Sequence, residues 1–213
     1  MKNTIFSNLN SFNSPSVLTP FKIAFSAVSL CLLGSTVNAQ EWNIDQKESS
    51  IHFTVQHLMI SRVDGNLTKF SGSVEFDGVN LDNATVRASI ASDSIDTKNE
   101  MRDKHLRKDD VLDVREFPSI KFVSKKITPH SDGSFDIVGD LELHGIVRTV
   151  TLNAAPFKCA PVDAAGKRHI FAKAKTVINR KQFGIYVDKA IDKGGIVGDQ
   201  VKVDLNICLV DKV

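Results

Sequence analysis

The sequence predicts an all-β domain that carries one short helical insert. Three observations support this prediction. Apolar and polar residues alternate with period two in many short segments of the chain. Turn-forming pairs such as Asp64-Gly65 and Asp132-Gly133 predict turns at short intervals between these segments. Residues 94–122 follow neither pattern, because they are dense in charged residues and helix formers.

The alternating segments give each predicted strand one apolar and one polar face. In the first of them, Ile51, Phe53 and Val55 alternate with polar residues. The later apolar rows are Val86, Ala88 and Ile90; Phe135, Ile137, Leu141 and Leu143; Val150 and Leu152; Ile170, Ala172 and Ala174; and Val201, Val203, Leu205 and Ile207. Short antiparallel strands of this kind are typical of a sandwich or a barrel, and a closed barrel has no exposed strand edges. Alternation alone does not distinguish a filled barrel from a hollow one.

A short helix is expected near residues 97–108. Thr97 and Glu100 fit a capping box, in which the two side chains bond the free amides at the start of a helix. Met101 and Leu106 could face the mouth of a barrel, and the neighbouring basic residues could bind a diphosphate by charge-assisted hydrogen bonds. Interspersed aspartates favour the alternative of a solvated helix face.

The first 39 residues have the features of a cleavable secretory signal. They contain Lys2 and Lys22 but no acidic residue, and an apolar run over residues 23–37 leads into a Val-Asn-Ala triplet at residues 37–39. The triplet matches a small-residue cleavage site, and the run is shorter than the ~20 apolar residues of a typical membrane span. We therefore expect cleavage after Ala39, which leaves residues 40–213 as one secreted domain.

Charge gives no reason to expect a nucleic-acid partner. The chain has 27 basic and 25 acidic residues, and two of the basic residues lie in the expected signal. Residues 40–213 are therefore neutral overall, whereas nucleic-acid-binding proteins generally carry basic patches.

Residues 40–213 contain two cysteines, Cys159 and Cys208, which could form a disulfide in an oxidising compartment. The bond requires Cα atoms about 4.4–6.8 Å apart, a distance that the sequence does not specify. A disulfide and two separate thiols therefore both remain open. Neither cysteine belongs to a C-x-x-C motif, which disfavours a redox or zinc role.

Four further blocks of the chain carry a family resemblance. Residues 49–77 contain a His-Leu pair and a Phe-Ser-Gly step, and residues 137–152 contain Gly-Asp-Leu and His-Gly steps. Residues 178–185 contain Asn-Arg and Phe-Gly, and residues 201–210 form a closing strand. Together with the insert, these blocks closely resemble the signature of the YceI-like family. Residues 158–167 depart from it, because they lack the tryptophan-bearing turn that is common there.

The resemblance implies an elongated, lipocalin-like, up-and-down antiparallel barrel of about eight strands around an apolar tunnel. It also implies periplasmic binding, storage or transport of a polyisoprenoid or another long-chain amphiphile, without catalysis. The expected ligand is a long-chain isoprenoid, an isoprenoid quinone or a fatty amphiphile, loaded by transient membrane contact. Exposed barrel mouths could also pair two copies in a homodimer. The alternatives are an enzyme acting on an isoprenoid quinone and a secreted stress or structural module without a ligand.

The candidate ligand-binding residues are those that strand alternation places on the inner face, those that match the family motifs and the two apolar residues of the insert. Strand alternation places the side chain of His57 on the inner face, so His57 is the first candidate for a polar contact. Arg180 could bind a head group or pair with an acidic residue of the insert. The full set is Phe53, Val55, His57, Ile90, Met101, Leu106, Phe122, Ile137, Leu141, Ala172, Arg180, Phe183 and Ile207. Burial of a long chain would stabilise the complex by about 25 cal/mol per Å² of apolar surface. Ordinary core packing is the alternative for each apolar residue of the set.

Motifs for catalysis are absent from the sequence. The chain has no G-x-S-x-G elbow, no H-E-x-x-H helix and no glycine-rich phosphate loop. His52 and His57 are five residues apart, so a regular strand would direct them to opposite faces. We therefore expect no catalytic residue, no metal and no resident cofactor.

Overall fold

Antiparallel strands form most of the part of the chain that the computed structural model describes, which is residues 40–57, 61–76, 81–187 and 197–212. The strands in these ranges are β1 (Gln40–Ile44), β2 (Ser50–His57), β3 (Ser61–Leu67), β4 (Phe70–Phe76), β5 (Thr85–Ala91), β6 (Ile95–Asp96), β7 (Ser119–Pro129), β8 (Phe135–Leu143), β9 (Ile146–Ala154), β10 (Lys158–Cys159), β11 (His169–Asn179) and β12 (Val197–Asp211). The same ranges contain one α-helix, α1 (Glu100–Leu106), and 3₁₀ turns at Leu81–Asn83, Ser92–Ser94 and Arg180–Phe183. No helix within them is long and apolar enough to cross a membrane. The expected signal, residues 1–39, lies outside the described residues.

Several successive strands lie end to end and act as single long strands. β1 and β2 both pair with the same edge of β12. β4 and β3 continue each other along β1 and β2, and β5 and β6 continue each other along β4 and β3. β9 and β10 both pair with β11. With β7, β8, β11 and β12, the described residues therefore form eight long strands.

These eight long strands close into an antiparallel barrel. Each pairs with the next along the chain, and β12 returns to pair with β1 and β2. The prediction of an all-β barrel of about eight strands is therefore confirmed. The ladders differ in length: β11 and β12 pair along the whole of β11, whereas β9 pairs with β11 only at Ala154 with Ala174 and Asn153 with Lys175.

The alternating pattern directs one side of each strand into the barrel. Along β8, Ile137 and Leu141 are buried inside, while the outward Asp140 pairs with a lysine. Gly139 occupies the inward position between the two apolar residues, where the ring of Phe122 covers it. A Cβ atom at position 139 would lie 2.5 Å from Cζ of Phe122, so the aromatic ring requires glycine there.

The helical insert contains α1, but the predicted capping box is wrong. Asn99 is the N-cap, and its side chain accepts a hydrogen bond from the amide of Arg102. Thr97 is buried, and its hydroxyl donates to the carboxylate of Asp103. Asn99 is as good a cap as threonine, and the buried carboxylate offers Thr97 a charged acceptor that is stronger than a backbone group.

The two cysteines are not bonded to each other. Cys159 is exposed and Cys208 is buried, and both thiols are free. β11 runs between them, because Cys159 lies opposite Ile170 on one edge of β11 and Cys208 lies opposite Phe171 on the other. Two strand spacings of about 4.8 Å separate the Cα atoms by more than a disulfide can span. Of the two alternatives for this pair, separate thiols are correct.

Candidate functional site in the barrel interior

An apolar cavity of about 310 Å³ occupies the barrel interior, and all eight long strands contribute to its wall. This volume is near the lower end of the range of ligand pockets, roughly 300–1,000 Å³. Among the described residues of the wall, Thr176 and Ser71 are the only polar ones, Ser71 is exposed on the outer side of β4, and none carries a charge. Such a wall can remove a hydrocarbon chain from water, but it offers no counter-ion to a charged group.

Seven of the residues selected from the sequence lie in this wall. They are Phe53, Ile90, Phe122, Ile137, Leu141, Ala172 and Ile207. Alanines at positions 88, 172 and 174 also face the cavity, where larger side chains would occupy its volume. Their common position follows from the alternation of side chains along the strands. Contact between these residues and a ligand stays a prediction.

Four other selected residues lie elsewhere. Val55 is half-buried on β2 but is not part of the wall, and Met101 on α1 is 83% exposed. Leu106 and Phe183 pack into the buried core cluster beside the cavity. The side chain of His57 lies outside the described part of the structure.

One end of the barrel is covered by α1, by residues 107–117 and by the 3₁₀ turn Arg180–Phe183, which we call the end cap. Val111 and Phe183 are each 1% exposed and belong to the same buried cluster as wall residues of β8. His144, in the turn between β8 and β9, joins two parts of the cap: its ring centroid lies 4.7 Å from that of Phe117, and its Nδ1 lies 3.1 Å from the carbonyl oxygen of Phe183. The cap is therefore packed as part of the core.

Arg180 ties the end cap to the start of β12. The side chain is 4% exposed, and its Nε donates to the carbonyl oxygen of Gly198 at 3.0 Å. Its two terminal nitrogens donate to the carbonyl oxygens of Ile185 at 3.0 Å and Val197 at 3.1 Å, and one lies 3.3 Å from the carboxylate of Asp199. Among the described residues, the ionic partner belongs to β12, so the expected alternative of an acidic partner in the insert is wrong. These contacts favour a structural role over head-group binding.

The basic residues of the insert are also engaged locally. Arg102 donates to the hydroxyl and the carbonyl oxygen of Thr97, at 2.8 and 3.0 Å. Arg107 donates to the carbonyl oxygen of Ile95. Asp103 is 6% exposed and accepts from the amide of Thr97 at 3.0 Å. Two of the cations considered for a diphosphate therefore stabilise the loop that precedes α1.

The opposite end of the barrel is closed by a second buried cluster, Trp42, Phe76, Ile170 and Leu209. Arg168 covers this cluster from outside, with its guanidinium carbon 5.1 Å from the centre of the Trp42 ring. Its Nε lies 2.8 Å from a carboxylate oxygen of Asp211. This hydrogen bond lowers the pKa of the Asp211 carboxyl group below its ordinary value.

A cysteine, a histidine and an aspartate lie in a row on the outward-facing side of the sheet near this end, where the cysteine is covered by its neighbours. Sγ of Cys208 lies 3.6 Å from Nδ1 of His169, whose Nε2 lies 3.0 Å from the carboxylate of Asp163. Cys208 is completely buried, and burial raises the pKa of its thiol. A neutral, inaccessible thiol is a poor nucleophile. In the described ranges, no group of three or more histidine, cysteine or acidic side chains could hold a metal ion.

Sequence reasoning missed Thr176 as a site residue. It faces the cavity from β11 in the same row as Ala172 and Ala174. Continuing that row by two residues would have found it, because side chains on one face of a strand recur every second residue.

A closed antiparallel barrel around an apolar cavity defines the class of lipocalin-like ligand-binding barrels. Within this class, the model of the YceI-like domain matches residues 42–209, and the chain belongs to that family. A UPF0312 protein of Shewanella denitrificans is 36% identical over 176 residues, which cover 82% of this chain and 89% of that protein.

Solved structures share the fold. The crystal structure of Burkholderia cenocepacia BcnA superposes with a TM-score of 0.68 at 22% identity and covers 78% of this chain and 98% of that one. A structure from Saccharophagus degradans, described as a polyisoprenoid binding domain implicated in plant cell wall breakdown, has a TM-score of 0.62 at 13% identity. It covers 82% of this chain and 99% of that chain. At these identities the likeness establishes the barrel and leaves the ligand to be argued from the cavity.

Proposed function

We propose that this protein binds a polyisoprenoid or another long-chain amphiphile in the barrel and stores or transports it in the periplasm. The observation that carries the proposal is the cavity wall, which is apolar along all eight strands. Each Å² of hydrocarbon surface moved from water into such a wall contributes roughly 25 cal/mol, so a long chain needs few directed contacts. The description of the Saccharophagus degradans domain supports the same class of ligand.

The periplasmic part of the proposal depends on the first 39 residues, with their two lysines, apolar run and small-residue triplet. Loading would then occur by transient contact with a membrane, from which a long-chain lipid can partition into the barrel. We propose that no covalent chemistry follows. In the described ranges the wall offers neither a nucleophile beside a base nor a charged side chain.

The test is mass spectrometry of the protein expressed from the full reading frame and purified without detergent from a periplasmic fraction. The intact mass reports whether cleavage follows Ala39, and an organic extract reports the bound lipid. A stoichiometric isoprenoid, quinone or fatty amphiphile is the expected result, and it would identify the ligand.

A lipid-free extract that remains lipid-free after incubation with phospholipid vesicles doped with a long-chain prenol would contradict carriage and favour a ligand-free structural module. Conversion of an added isoprenoid quinone to a new species would favour the enzyme alternative. Boiled protein and a wall variant, Ile137→Asp, serve as controls for non-specific extraction.

A further inference from the structure

Thr176 is a buried polar residue for which the fold supplies no partner. Its side chain faces the cavity, and the residue is 9% exposed. The hydroxyl makes no hydrogen bond with any residue that the structure describes, and its oxygen is not fully enclosed by protein, because Trp42 Nε1 is the only fully enclosed side-chain nitrogen or oxygen without a partner among these residues. Its neighbours across β12 and β2 in the same rung are Val203 and Phe53, both apolar. A buried hydroxyl normally finds a partner, because burial without one is unfavourable.

A lone water molecule is a poor partner for this hydroxyl. A buried water requires two to four polar neighbours, as a rule. Ser71, the other polar residue of the described wall, is exposed and lies on β4, which is separated from β11 by β12 and β1. A partner carried into the cavity by a ligand satisfies the hydroxyl without a second polar side chain.

The ladder between β9 and β11 also ends next to Thr176. The amide of Ala155 donates to the carbonyl oxygen of Lys173, and bonded pairs alternate along an antiparallel ladder. Odd-numbered residues are therefore the bonded ones at this seam, and Thr151 with Val177 would be the next pair. The ladder ends before it, at Asn153 with Lys175. Beyond Asn153 and Lys175, the described residues of the two strands have no further pairs in register.

We propose that Thr176, beside this incomplete ladder, forms a polar subsite for one uncharged oxygen on an otherwise apolar ligand, a hydroxyl or a carbonyl group. The inference rests on the proposed function and narrows its ligand class. The hydroxyl can donate to a carbonyl oxygen or accept from an alcohol. Phosphate and carboxylate groups do not fit this position, because none of the described wall residues is a cation.

The test compares an alcohol with the corresponding hydrocarbon in the full chain and in three variants. Diphenylhexatriene, a fluorescent hydrocarbon without oxygen, measures occupation of the cavity in the full chain and in Thr176→Val, whose side chain has nearly the same shape. Geranylgeraniol and the corresponding hydrocarbon without the hydroxyl then compete for the bound probe. Thr176→Ser, which retains the hydroxyl, is the rescue variant. Thr151→Val, on the outer face of β9, is the matched control.

We expect Thr176→Val to lower the affinity for geranylgeraniol by about tenfold and the affinity for the two hydrocarbons by less than about twofold. The affinities of Thr176→Ser and Thr151→Val should be close to those of the parent protein. The melting temperature of Thr176→Val should not fall, because the substitution removes an unpaired hydroxyl. Equal affinities of the alcohol for parent and Thr176→Val would overturn the subsite while leaving the carrier function standing. A lowered melting temperature would also overturn it, since it would reveal a partner within the protein. Failure of the parent protein to bind diphenylhexatriene would refute the carrier function itself.

Discussion

The end cap and the cavity wall both contain residues that the sequence marked for ligand binding, and they use polar groups in opposite ways. In the cap, Arg180, Arg102 and Asp103 are engaged with backbone groups or with neighbouring side chains. In the described wall, Thr176 carries the one polar side chain on the inner face, and its hydroxyl has no hydrogen-bond partner among the described residues.

The difference shows that a dense cluster of charges need not mark a recognition surface. A short helix and irregular loops leave many backbone groups without regular partners, and charged side chains can satisfy them. The strands of the wall satisfy most of their own backbone groups through ladders, so their side chains are free to form an apolar surface. Recognition of a long apolar chain is therefore best expected where the sequence carries least charge.

The largest effect is expected from a charge placed in the wall. Ile137→Asp puts an unpaired carboxylate at a position that is 9% exposed, which should abolish both folding and lipid binding, as should Phe53→Asp. Arg87→Asp on the outer face removes an exposed pair with Glu75 and should cost less than ~1 kcal/mol. Urea denaturation, monitored by circular dichroism, compares the stabilities of these variants. Equal losses from inward and outward substitutions would show that the barrel register is wrong.

A smaller but still severe loss is expected in the end cap. Arg180→Met removes the buried guanidinium and leaves the Val197, Gly198 and Ile185 carbonyl groups without their donor, so we expect a loss of about 3–5 kcal/mol in the free energy of unfolding. Lys181→Met is the matched control, because Lys181 pairs with the same Asp199 from a more exposed position. It should cost less than ~1 kcal/mol. Similar losses for both would assign the effect to Asp199 and not to the buried guanidinium.

Asp103 allows a more local test of the cap. Asp103→Asn keeps the size of the side chain but weakens an acceptor that binds both the amide and the hydroxyl of Thr97. We expect Asp103→Asn to lower the free energy of unfolding, measured by urea or thermal denaturation, by about 1–3 kcal/mol. Asp109→Asn, at an exposed position, should leave it nearly unchanged. Diphenylhexatriene affinity should remain unchanged in folded Asp103→Asn. A selective loss of affinity would show that the cap takes part in binding.

The smallest effect is expected from pH at the end opposite the cap. The pKa of Asp211 is lowered in the folded protein by its hydrogen bond with Arg168, so ionisation of this group favours folding. That contribution is fully present above the unfolded-state pKa of about 4 and is lost as the pH falls through the lower folded-state pKa. Asp211→Asn should reduce the acid dependence of the unfolding free energy between about pH 5 and pH 2. An unchanged pH profile in the variant would mean that other carboxylates control the acid response.

The sequence predicted different parts of the molecule with different success. Strand parity placed Phe53, Ile137 and Ala172 on the inner face, because a side chain that alternates along an extended strand has two choices. The cap of α1 was misassigned to Thr97, because the sequence offers threonine and asparagine within three residues and both are good caps. The choice depended on Asp103, whose burial results from packing.

The sequence by itself determined the all-β class, the two faces of the strands, the presence of a helical insert and the family of the chain. These features are local, or are carried by motifs read along the chain. Tertiary structure alone decided that Cys159 and Cys208 lie on opposite edges of β11, that Arg180 pairs with β12, and that the ladder of β9 and β11 ends beside Thr176. Each of these depends on which strands become neighbours when the barrel closes, and residue order does not encode the distances across that closure.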